Sequence, residues 1–161
     1  MKILVLSDSH RGKSFMRLCM ERIAPDAVIH LGDYYDDGQE LQELYPQLPF
    51  YQVPGNCDAN RGWIPDPEVR VERIGGVWMF LTHGHRHQVK LGLYGLVQAA
   101  RAAKVQIALY GHTHGADCHQ EPDGLWVLNP GTCGTYGGSV GLLEVEQGKI
   151  LSCRILREAD L

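Results

Sequence analysis

The sequence lacks any apolar run of about 18 residues, the length that a membrane-spanning helix requires. Its apolar start, Ile3 to Leu6, is followed so soon by Asp8 that the pattern argues against a secretory signal peptide. The five cysteines are odd in number, widely spaced and without a Cys-x-x-Cys pair, so they favour reduced thiols over a disulfide framework or a zinc knuckle. We therefore expect a soluble, cytoplasmic protein that does not bind a membrane.

The chain also lacks an excess of basic residues. Its formal net charge is −4, with 15 lysines and arginines against 19 acidic residues, which argues against a broad basic face that binds duplex nucleic acid. No internal repeat, linker or low-complexity tract divides the 161 residues, of which 44% are hydrophobic. This length predicts one domain, residues 1–161, with a core large enough to fold without disulfides or a structural metal. A homo-oligomer is left open.

Three short apolar runs near the start of the chain, each ended by polar residues, are typical of buried strands. Two helices are predicted between them: one between Gly12 and Pro25, with Ser14 as a cap, and a shorter one over 37–45. Open α/β sheets bind ligands at the carboxyl ends of their strands. The runs that deliver polar residues to this position are Lys2–Leu6, Ala27–Leu31 and Phe50–Val53.

The second half of the chain changes to alternating apolar residues, which predicts a hairpin around Gly75-Gly76 followed by the strand Val77–Leu81. Helical spacing over 89–104 and an apolar run over 106–110 predict one further helix and one further strand. Turn signals at Asp123-Gly124 and Gln147-Gly148 separate the remaining strand-like stretches. We expect these later strands to be largely antiparallel.

Five of the predicted strands end in short polar sets of aspartate, asparagine or histidine. Imidazole, carboxylate and amide oxygen together suit manganese, iron, nickel or zinc rather than a calcium cage or a thiolate site. Each set alone is weak evidence, because a lone Asp-x-His is more often a turn and a lone His-x-His is more often at the surface. His30 differs from them, since it lies inside an apolar run and is expected to be a core histidine. The sets are Asp8 with His10, Asp33, Asn56, His83 with His85, and His112 with His114.

In their order along the chain, these sets resemble the motifs of the calcineurin-like metallophosphoesterases. The order is Asp-x-His, Gly-Asp, Gly-Asn, His-Gly-His and Gly-His-Thr-His, over residues 3 to about 131. The size of the chain and the segments Gly55-Asn56-Cys57-Asp58 and Asn129-Pro130-Gly131-Thr132 are most similar to the small YfcE-type phosphodiesterases. The resemblance implies an α/β fold, a four-layer αββα sandwich of two packed mixed β-sheets flanked by helices.

The resemblance also implies a site for two divalent transition-metal ions, with Mn²⁺ first and Ni²⁺, Fe²⁺ or Zn²⁺ as alternatives. Asp33 would bridge the two ions, and a hydroxide shared by them would attack phosphorus in line, so that no protein nucleophile is required. The implied ligands are Asp8, His10, Asp33 and His114 for the first ion and Asp33, Asn56, His83 and His112 for the second.

Further residues are candidates for catalysis or for contact with substrate. Asn56 and His85 are the candidate catalytic residues, although His85 has an equal alternative in supporting a ligand or facing solvent. Arg11 is a candidate phosphate contact through its forked guanidinium, with simple surface exposure as the alternative. Cys57 stands where the fuller family pattern has a histidine, and it either binds substrate weakly or fills a small gap. Asp58 is the last candidate substrate contact, and its alternatives are to orient a neighbouring ligand or to cap the next turn.

We therefore expect a metal-dependent phosphodiesterase that acts on a small phosphodiester, and a nucleotide-derived substrate is left open. The alternative is a non-catalytic scaffold on the same fold, similar to the retromer subunit in which a metal site has lost ligands. All seven implied ligand positions are filled in this chain, which favours catalysis. A third class, a regulatory protein stabilised by its metals, predicts metal binding without turnover.

Overall fold

The apolar runs of the sequence form the strands of two β-sheets. The computed structural model describes residues 1–60, 62–134 and 137–161. Its strands are β1 (Lys2–Leu6), β2 (Ala27–His30), β3 (Phe50–Gln52), β4 (Val69–Ile74), β5 (Val77–Thr82), β6 (Ile107–Leu109), β7 (Asp117–Gln120), β8 (Trp126–Asn129), β9 (Ser139–Glu146) and β10 (Lys149–Arg157). Its helices are α1 (Lys13–Ile23), α2 (Tyr35–Leu44) and α3 (Tyr94–Ala102), with short 3-10 turns at Asn56–Asp58, His85–His87 and Glu158–Asp160.

Each sheet has five strands and mixes parallel with antiparallel pairing. The first sheet has the order β10-β9-β1-β2-β3, in which β1, β2 and β3 are parallel because a helix returns the chain before each new strand. The second sheet has the order β4-β5-β6-β8-β7. The expectation of antiparallel later strands is confirmed for β4–β5, β7–β8 and β9–β10. The expectation is of largely antiparallel pairing, and the exceptions are the pairs β5–β6 and β6–β8, which run parallel because α3 and then β7 return the chain to the same end.

The two sheets pack face to face, and helices cover their outer faces. Because side chains alternate along a strand, Ile3 and Val5 of β1 point into the core between the sheets, whereas Leu4 and Leu6 point toward α1. On the other side, Leu96 of α3 packs on the outer face of the second sheet. The layers therefore run helix, sheet, sheet, helix, which confirms the predicted αββα sandwich.

Helix α1 lies between Gly12 and Pro25, as predicted, and buries one face at helical spacing. The expected cap is wrong: Ser14 lies inside the first turn, and Gly12 takes the cap position without a side-chain hydrogen bond. The buried face of α1 consists of Met16, Cys19, Met20 and Ile23. In the described ranges of the chain, no helix is long and apolar enough to cross a bilayer.

The carboxyl ends of β1, β2, β5 and β6 meet at one end of the sandwich, where backbone hydrogen bonds join the loops that follow them. The N–H of Asp8 donates to the carbonyl of Gly32 at 2.9 Å and links the loops after β1 and β2. The N–H of Gly111 donates to the carbonyl of His83 at 2.9 Å and links the loops after β5 and β6. Polar residues from both sheets are thereby gathered at this end.

Candidate metal centre

Asp8 lies at the centre of the polar residues and is fully buried. Its Oδ2 accepts hydrogen bonds from the Ser7 hydroxyl at 2.6 Å and from the His112 N–H at 3.1 Å. Its Oδ1 has no hydrogen-bond partner among the described residues and faces imidazole nitrogens instead. The distance from Oδ1 to Nε2 is 3.1 Å for His114 and 3.9 Å for both His10 and His83. A buried carboxylate oxygen without a hydrogen-bond donor is costly in free energy, so this atom is a candidate cation ligand.

His83 presents one defined nitrogen to the same space. Its Nδ1 lies 2.8 Å from the carbonyl oxygen of Leu31. Because a carbonyl oxygen only accepts, Nδ1 carries a proton, so Nε2 is the nitrogen that holds a lone pair when the ring is neutral. This Nε2 lies 3.4 Å from Oδ2 of Asp33. The backbone contact at Nδ1 therefore orients His83 as a candidate metal ligand.

Asp33 is the second buried carboxylate of the site. Its Oδ1 accepts the N–H of Cys57 at 2.9 Å, while its Oδ2 faces His83. Burial by itself raises the pKa of Asp33, but the hydrogen bond and charge of His83 and the Cys57 N–H outweigh burial and lower the pKa. Asp33 is therefore ionised over the whole range in which the protein is expected to work.

The potential ligand atoms fall into two groups whose members lie within 4.8 Å of one another. Both groups contain Asp8, whereas the resemblance implies Asp33 as the shared ligand. His112 adjoins the second group, with its Nδ1 3.2 Å from Nε2 of His83. Asn56 is exposed, and its Nδ2 lies 3.8 Å from Sγ of Cys57. The groups are Asp8, His10 and His114, and Asp8, Asp33 and His83.

The backbone of five implied ligands lies in the left-handed region, which non-glycine residues seldom adopt. Each such residue costs of order 1–3 kcal/mol, and such strain concentrates at functional sites. The sharp turns after the strand ends bring side chains from separate strands together. The five residues and their φ angles are Asp8 at 53°, His10 at 40°, Asp33 at 55°, His112 at 69° and His114 at 60°.

Two glycines of the sequence motifs are required because carboxylates pack directly against their backbone. A Cβ on Gly55 would collide with Oδ1 of Asp33. A Cβ on Gly111 would collide with the Ser7 hydroxyl and would lie 2.8 Å from Oδ2 of Asp8. The Gly-Asn and Gly-His pairs are therefore a packing requirement of the two buried carboxylates.

A buried chain of hydrogen bonds holds the loop that contains His10. The Ser9 hydroxyl donates to Oδ2 of Asp37 at 2.8 Å, and the Arg11 N–H donates to the same oxygen at 2.7 Å. The Gly32 N–H donates to Nδ1 of His30 at 3.3 Å, so Nε2 of His30 carries the proton and donates to Ser9 at 3.1 Å. The expectation of a core histidine at His30 is confirmed. Sequence reasoning missed Ser9 and Asp37, because Asp37 belongs to no motif and reaches the loop only through the packing of α2.

Asn129 and Thr132, singled out as motif residues, tie the loop after β8 to the site. The Asn129 amide donates to the carbonyl of Gly111 at 3.2 Å and to the Thr113 hydroxyl at 2.9 Å. The Thr132 hydroxyl donates to the carbonyl of Asp8 at 2.7 Å. These residues brace the loops of His112, His114 and Asp8 from behind.

His85 lies at the edge of the site. Its ring centroid is 5.5 Å from that of His83 and 6.1 Å from that of His112. Its Nε2 lies 3.7 Å from Oε1 of Glu68, which also pairs with Arg86. Burial first, then the charge of His83, lowers the pKa of His85, which favours the neutral ring. The sequence offered no signal for Glu68, since it precedes β4 outside every motif.

Arg11 and Cys57 are exposed next to implied ligands. The side chain of Arg11 lines a cavity of about 310 Å³ beside the start of α1. Partial burial and the nearby Asp33 carboxylate raise the pKa of Cys57 to about 11, so its thiol stays protonated at neutral pH. Contact between either side chain and a substrate stays a prediction.

The position of Asp58 corrects the expectation of a substrate contact. This carboxylate is fully buried, and its Oδ1 accepts the N–H groups of Tyr34 and Tyr35 at 2.8 and 3.0 Å. Its Oδ2 accepts the Gly55 N–H at 2.8 Å. With both oxygens bound to backbone, Asp58 caps the start of α2, which precedes it in the chain, rather than the next turn. The same contact explains why α2 begins at Tyr35 rather than at the predicted position 37.

The arrangement fits divalent transition metals. Carboxylate oxygen and imidazole nitrogen are the donors such ions take, and Oδ1 of Asp8 and Nε2 of His10 are both buried without a hydrogen-bond partner in the described part of the chain. The family model described as the calcineurin-like phosphoesterase superfamily domain matches residues 1–148. The chain belongs to this superfamily. Membership implies divalent metal ions, for which the residues around Asp8 are candidate ligands.

Two curated relatives support the same assignment. The chain is 31% identical over 134 residues to a probable metallophosphoesterase of Mycoplasma pneumoniae, covering 81% of this chain and 78% of that protein. It is 29% identical over 167 residues to the phosphodiesterase MJ0936 of Methanocaldococcus jannaschii, covering 91% of this chain and 95% of that protein. The chain is therefore a metallophosphoesterase by family.

Solved structures of two further proteins share the fold. The phosphoesterase YfcE of E. coli aligns with a TM-score of 0.66 at 19% identity, over 96% of this chain and 98% of that one. Vacuolar protein sorting 29 of Cryptosporidium parvum aligns with a TM-score of 0.74 at 21% identity, over 97% and 96%. At these identities the likeness concerns the fold alone.

Proposed function

We propose that this metallophosphoesterase is a dinuclear phosphodiesterase whose ligands are Asp8, His10, Asp33, Asn56, His83, His112 and His114. The observation that carries the proposal is Oδ1 of Asp8, a buried carboxylate oxygen that three imidazole nitrogens face within 3.9 Å. Buried charges in proteins are paired or bind metals. Asp8 and Asp33 are two such charges directed at one space, which supports cations there.

The chain's own groups divide the work around those cations. Divalent metals bound here would supply Lewis acidity toward the phosphoryl oxygens and toward water. Asp8 and Asp33 balance their charge, while the neutral rings of His83 and His112 add donors without adding negative charge. Asn56 and His85, at the open edge, would contact the phosphoryl oxygens and the leaving group. Arg11 and Cys57 would complete the contacts to substrate.

We favour a small phosphodiester over a phosphomonoester. A relative of 29% identity that spans most of both chains is named a phosphodiesterase. Cys57 replaces the histidine of the fuller family pattern, and its thiol, with a pKa raised to about 11, is a poor proton donor. Diesters with leaving groups that need no proton suit this site.

Among metals we favour Mn²⁺, because nitrogen and oxygen donors without thiolates suit it. The free cysteines fit a reducing compartment such as the cytoplasm.

Elemental analysis and a paired assay test the proposal. The purified chain is expected to hold about two transition-metal ions and to hydrolyse bis(4-nitrophenyl) phosphate faster than 4-nitrophenyl phosphate. Asp8→Asn should lose metal and turnover, whereas Asp123→Asn, which alters an exposed carboxylate paired with Arg101, should keep both. A metal-loaded chain that hydrolyses neither ester would overturn the proposal.

A chain that neither holds metal nor hydrolyses either ester would favour the second candidate, a non-catalytic scaffold. The fold match to vacuolar protein sorting 29 is the observation behind it. The scaffold predicts that Asp8→Asn changes no measurable activity.

A further inference from the structure

Two cysteines from different sheets meet at one edge of the sandwich. Cys118 lies on β7, the edge strand of the second sheet, and Cys153 lies on β10, the edge strand of the first. Their Sγ atoms are 2.6 Å apart. Nonbonded heavy atoms of carbon size pack at about 3.5–4.0 Å, so the two sulfur atoms are closer than packing alone requires. A modest movement would bring them to the disulfide distance of about 2.05 Å.

A β-bulge turns Cys153 toward its partner. The pairing of β10 with β9 shifts register between Ile150 and Ser152. Side chains alternate along a regular strand, so without the shift Ile150 and Cys153 would point to opposite faces. Both instead pack against the core between the sheets, as does Cys118. The bulge therefore places the Cys153 thiol on the face where Cys118 lies.

We propose that Cys118 and Cys153 form a reversible disulfide that closes this edge of the sandwich. Both residues are half-buried, so a small oxidant reaches them, while Cys19 and Cys133 are buried. The inference concerns the edge of the sandwich formed by β7 and β10 and does not depend on the proposed phosphodiesterase activity.

The contact between the two thiols suits exchange in either order. Either sulfur can donate the hydrogen bond that joins them. A thiolate is the attacking species in exchange, so one thiol attacks first and the other resolves the mixed disulfide.

The co-reactant is a low-molecular-weight disulfide, such as oxidised glutathione. The thiolate of one cysteine of the pair attacks one of its sulfurs, the S–S bond breaks, and one glutathione leaves as a thiolate. The other cysteine then attacks the protein sulfur of the mixed disulfide and releases the second glutathione. The two protein thiols give up two protons and two electrons, and the products are one protein disulfide and two molecules of reduced glutathione.

The test treats the full chain with oxidised glutathione and maps its cysteines. We expect the intact mass to fall by two hydrogens, a peptide pair joining positions 118 and 153, and full reversal by dithiothreitol. Thermal unfolding of the oxidised chain should shift upward by about 5 °C or more, because the bond constrains the unfolded state. An unchanged unfolding temperature would overturn the closing of the edge.

Single variants separate this bond from its alternatives. Cys153→Ser should stop at a mixed disulfide that retains one glutathione on Cys118. Cys57→Ser is the control, because it removes an exposed thiol outside the pair, and it should keep the bond between positions 118 and 153. Three results with the wild-type chain would each refute the proposal. The thiols of Cys118 and Cys153 could both stay fully alkylatable, a mixed disulfide with glutathione could persist at one of them, or a disulfide could link two chains.

Discussion

The backbone N–H of His112 donates a hydrogen bond to Oδ2 of Asp8 at 3.1 Å, although the two residues are 104 positions apart in the chain. This contact joins the loop after β1 in the first sheet to the loop after β6 in the second. It also occupies Oδ2 of Asp8 and leaves Oδ1 directed at the histidines. The candidate metal centre therefore depends on the two sheets being packed in register.

The two candidate metal positions should be separable by mutation. Asp33→Asn is expected to remove both ions, because the Asp33 carboxylate is the proposed ligand of both and balances part of the positive charge of each. His114→Ala should mainly empty the first position, since the His114 ring contacts Asp8 and His10 only on that side. Elemental analysis of both purified variants gives the ions held per chain. Equal metal content in the two variants would contradict the ligand assignment.

Metal binding should weaken as the pH falls. Burial lowers the pKa of His83, but Asp33 and Asp8 outweigh burial and raise it above its ordinary value. A proton therefore competes for Nε2 of His83 as soon as the pH falls through this raised pKa. Without metal, the stability of the fold changes with pH in the opposite direction. A histidine whose pKa is raised by folding stabilises the protein at pH values below its pKa in the unfolded chain, and this stabilisation is lost as the pH rises.

Thermal unfolding with and without Mn²⁺ measures this competition. The rise in Tm on adding Mn²⁺ should be large near about pH 8 and small near about pH 5.5, and excess metal should restore part of it. Turnover of the aryl diester should follow the same course. A metal-induced rise in Tm that is equal at both pH values would be inconsistent with histidine ligands.

Asp37 should affect the site through the loop it holds. Asp37→Asn and the milder Ser9→Ala weaken the buried contacts around His10, and we expect metal affinity to fall about 10- to 100-fold, as for residues that orient ligands. Glu40→Gln is the matched control on the same helix, because Glu40 is exposed and pairs with Lys13. Metal titration monitored by Tm distinguishes the variants. Affinities that match the control would show that the loop is held without Asp37.

Gly111→Ala tests whether the motif glycine is a packing requirement. The added methyl group must displace the Ser7 hydroxyl or the Asp8 carboxylate, so we expect a loss of about 1–3 kcal/mol in stability and weaker metal binding. Gly115→Ala, in the same loop, adds a methyl group at an ordinary 3.6 Å from the Thr113 hydroxyl and should stay close to wild type. Denaturant unfolding and metal titration check both variants. Similar losses in the two would disprove the packing explanation.

Cys57 should limit the leaving groups that the site accepts. The wild-type chain is expected to hydrolyse aryl diesters much faster than alkyl diesters, because its thiol is a weak proton donor. Cys57→His should narrow this gap by about 100-fold or more, the contribution typical of a positioned general acid, whereas Cys57→Ser should not. Saturating turnover of one aryl and one alkyl diester measures the ratio. Equal wild-type turnover of the two would reject this explanation.

Local patterns predicted the elements well and their partners less well. The strands at β1, β2 and β5 and the helix α1 follow from runs and spacing of residues that one stretch of chain contains. The parallel pairing of β5, β6 and β8 did not follow from local patterns. A short strand can pair with a neighbour in either direction, and the segment that connects the two strands decides which direction is adopted. The prediction that Ser14 caps α1 was also wrong because of a contact distant in sequence. Asp37 holds the loop before α1, and the helix starts before Ser14.

The sequence by itself determined which donors exist and that each follows a strand, because side-chain chemistry and strand ends are local properties. Packing of the sheets alone decided that Oδ1 of Asp8 stays unpaired, that Asp58 turns inward to cap α2, and that Cys118 meets Cys153. Each of these relationships joins positions far apart in the chain, and their distances depend on sheet order, a β-bulge and the close approach of glycine backbone. No local pattern encodes those distances, since they arise only when distant segments compete for the same buried space.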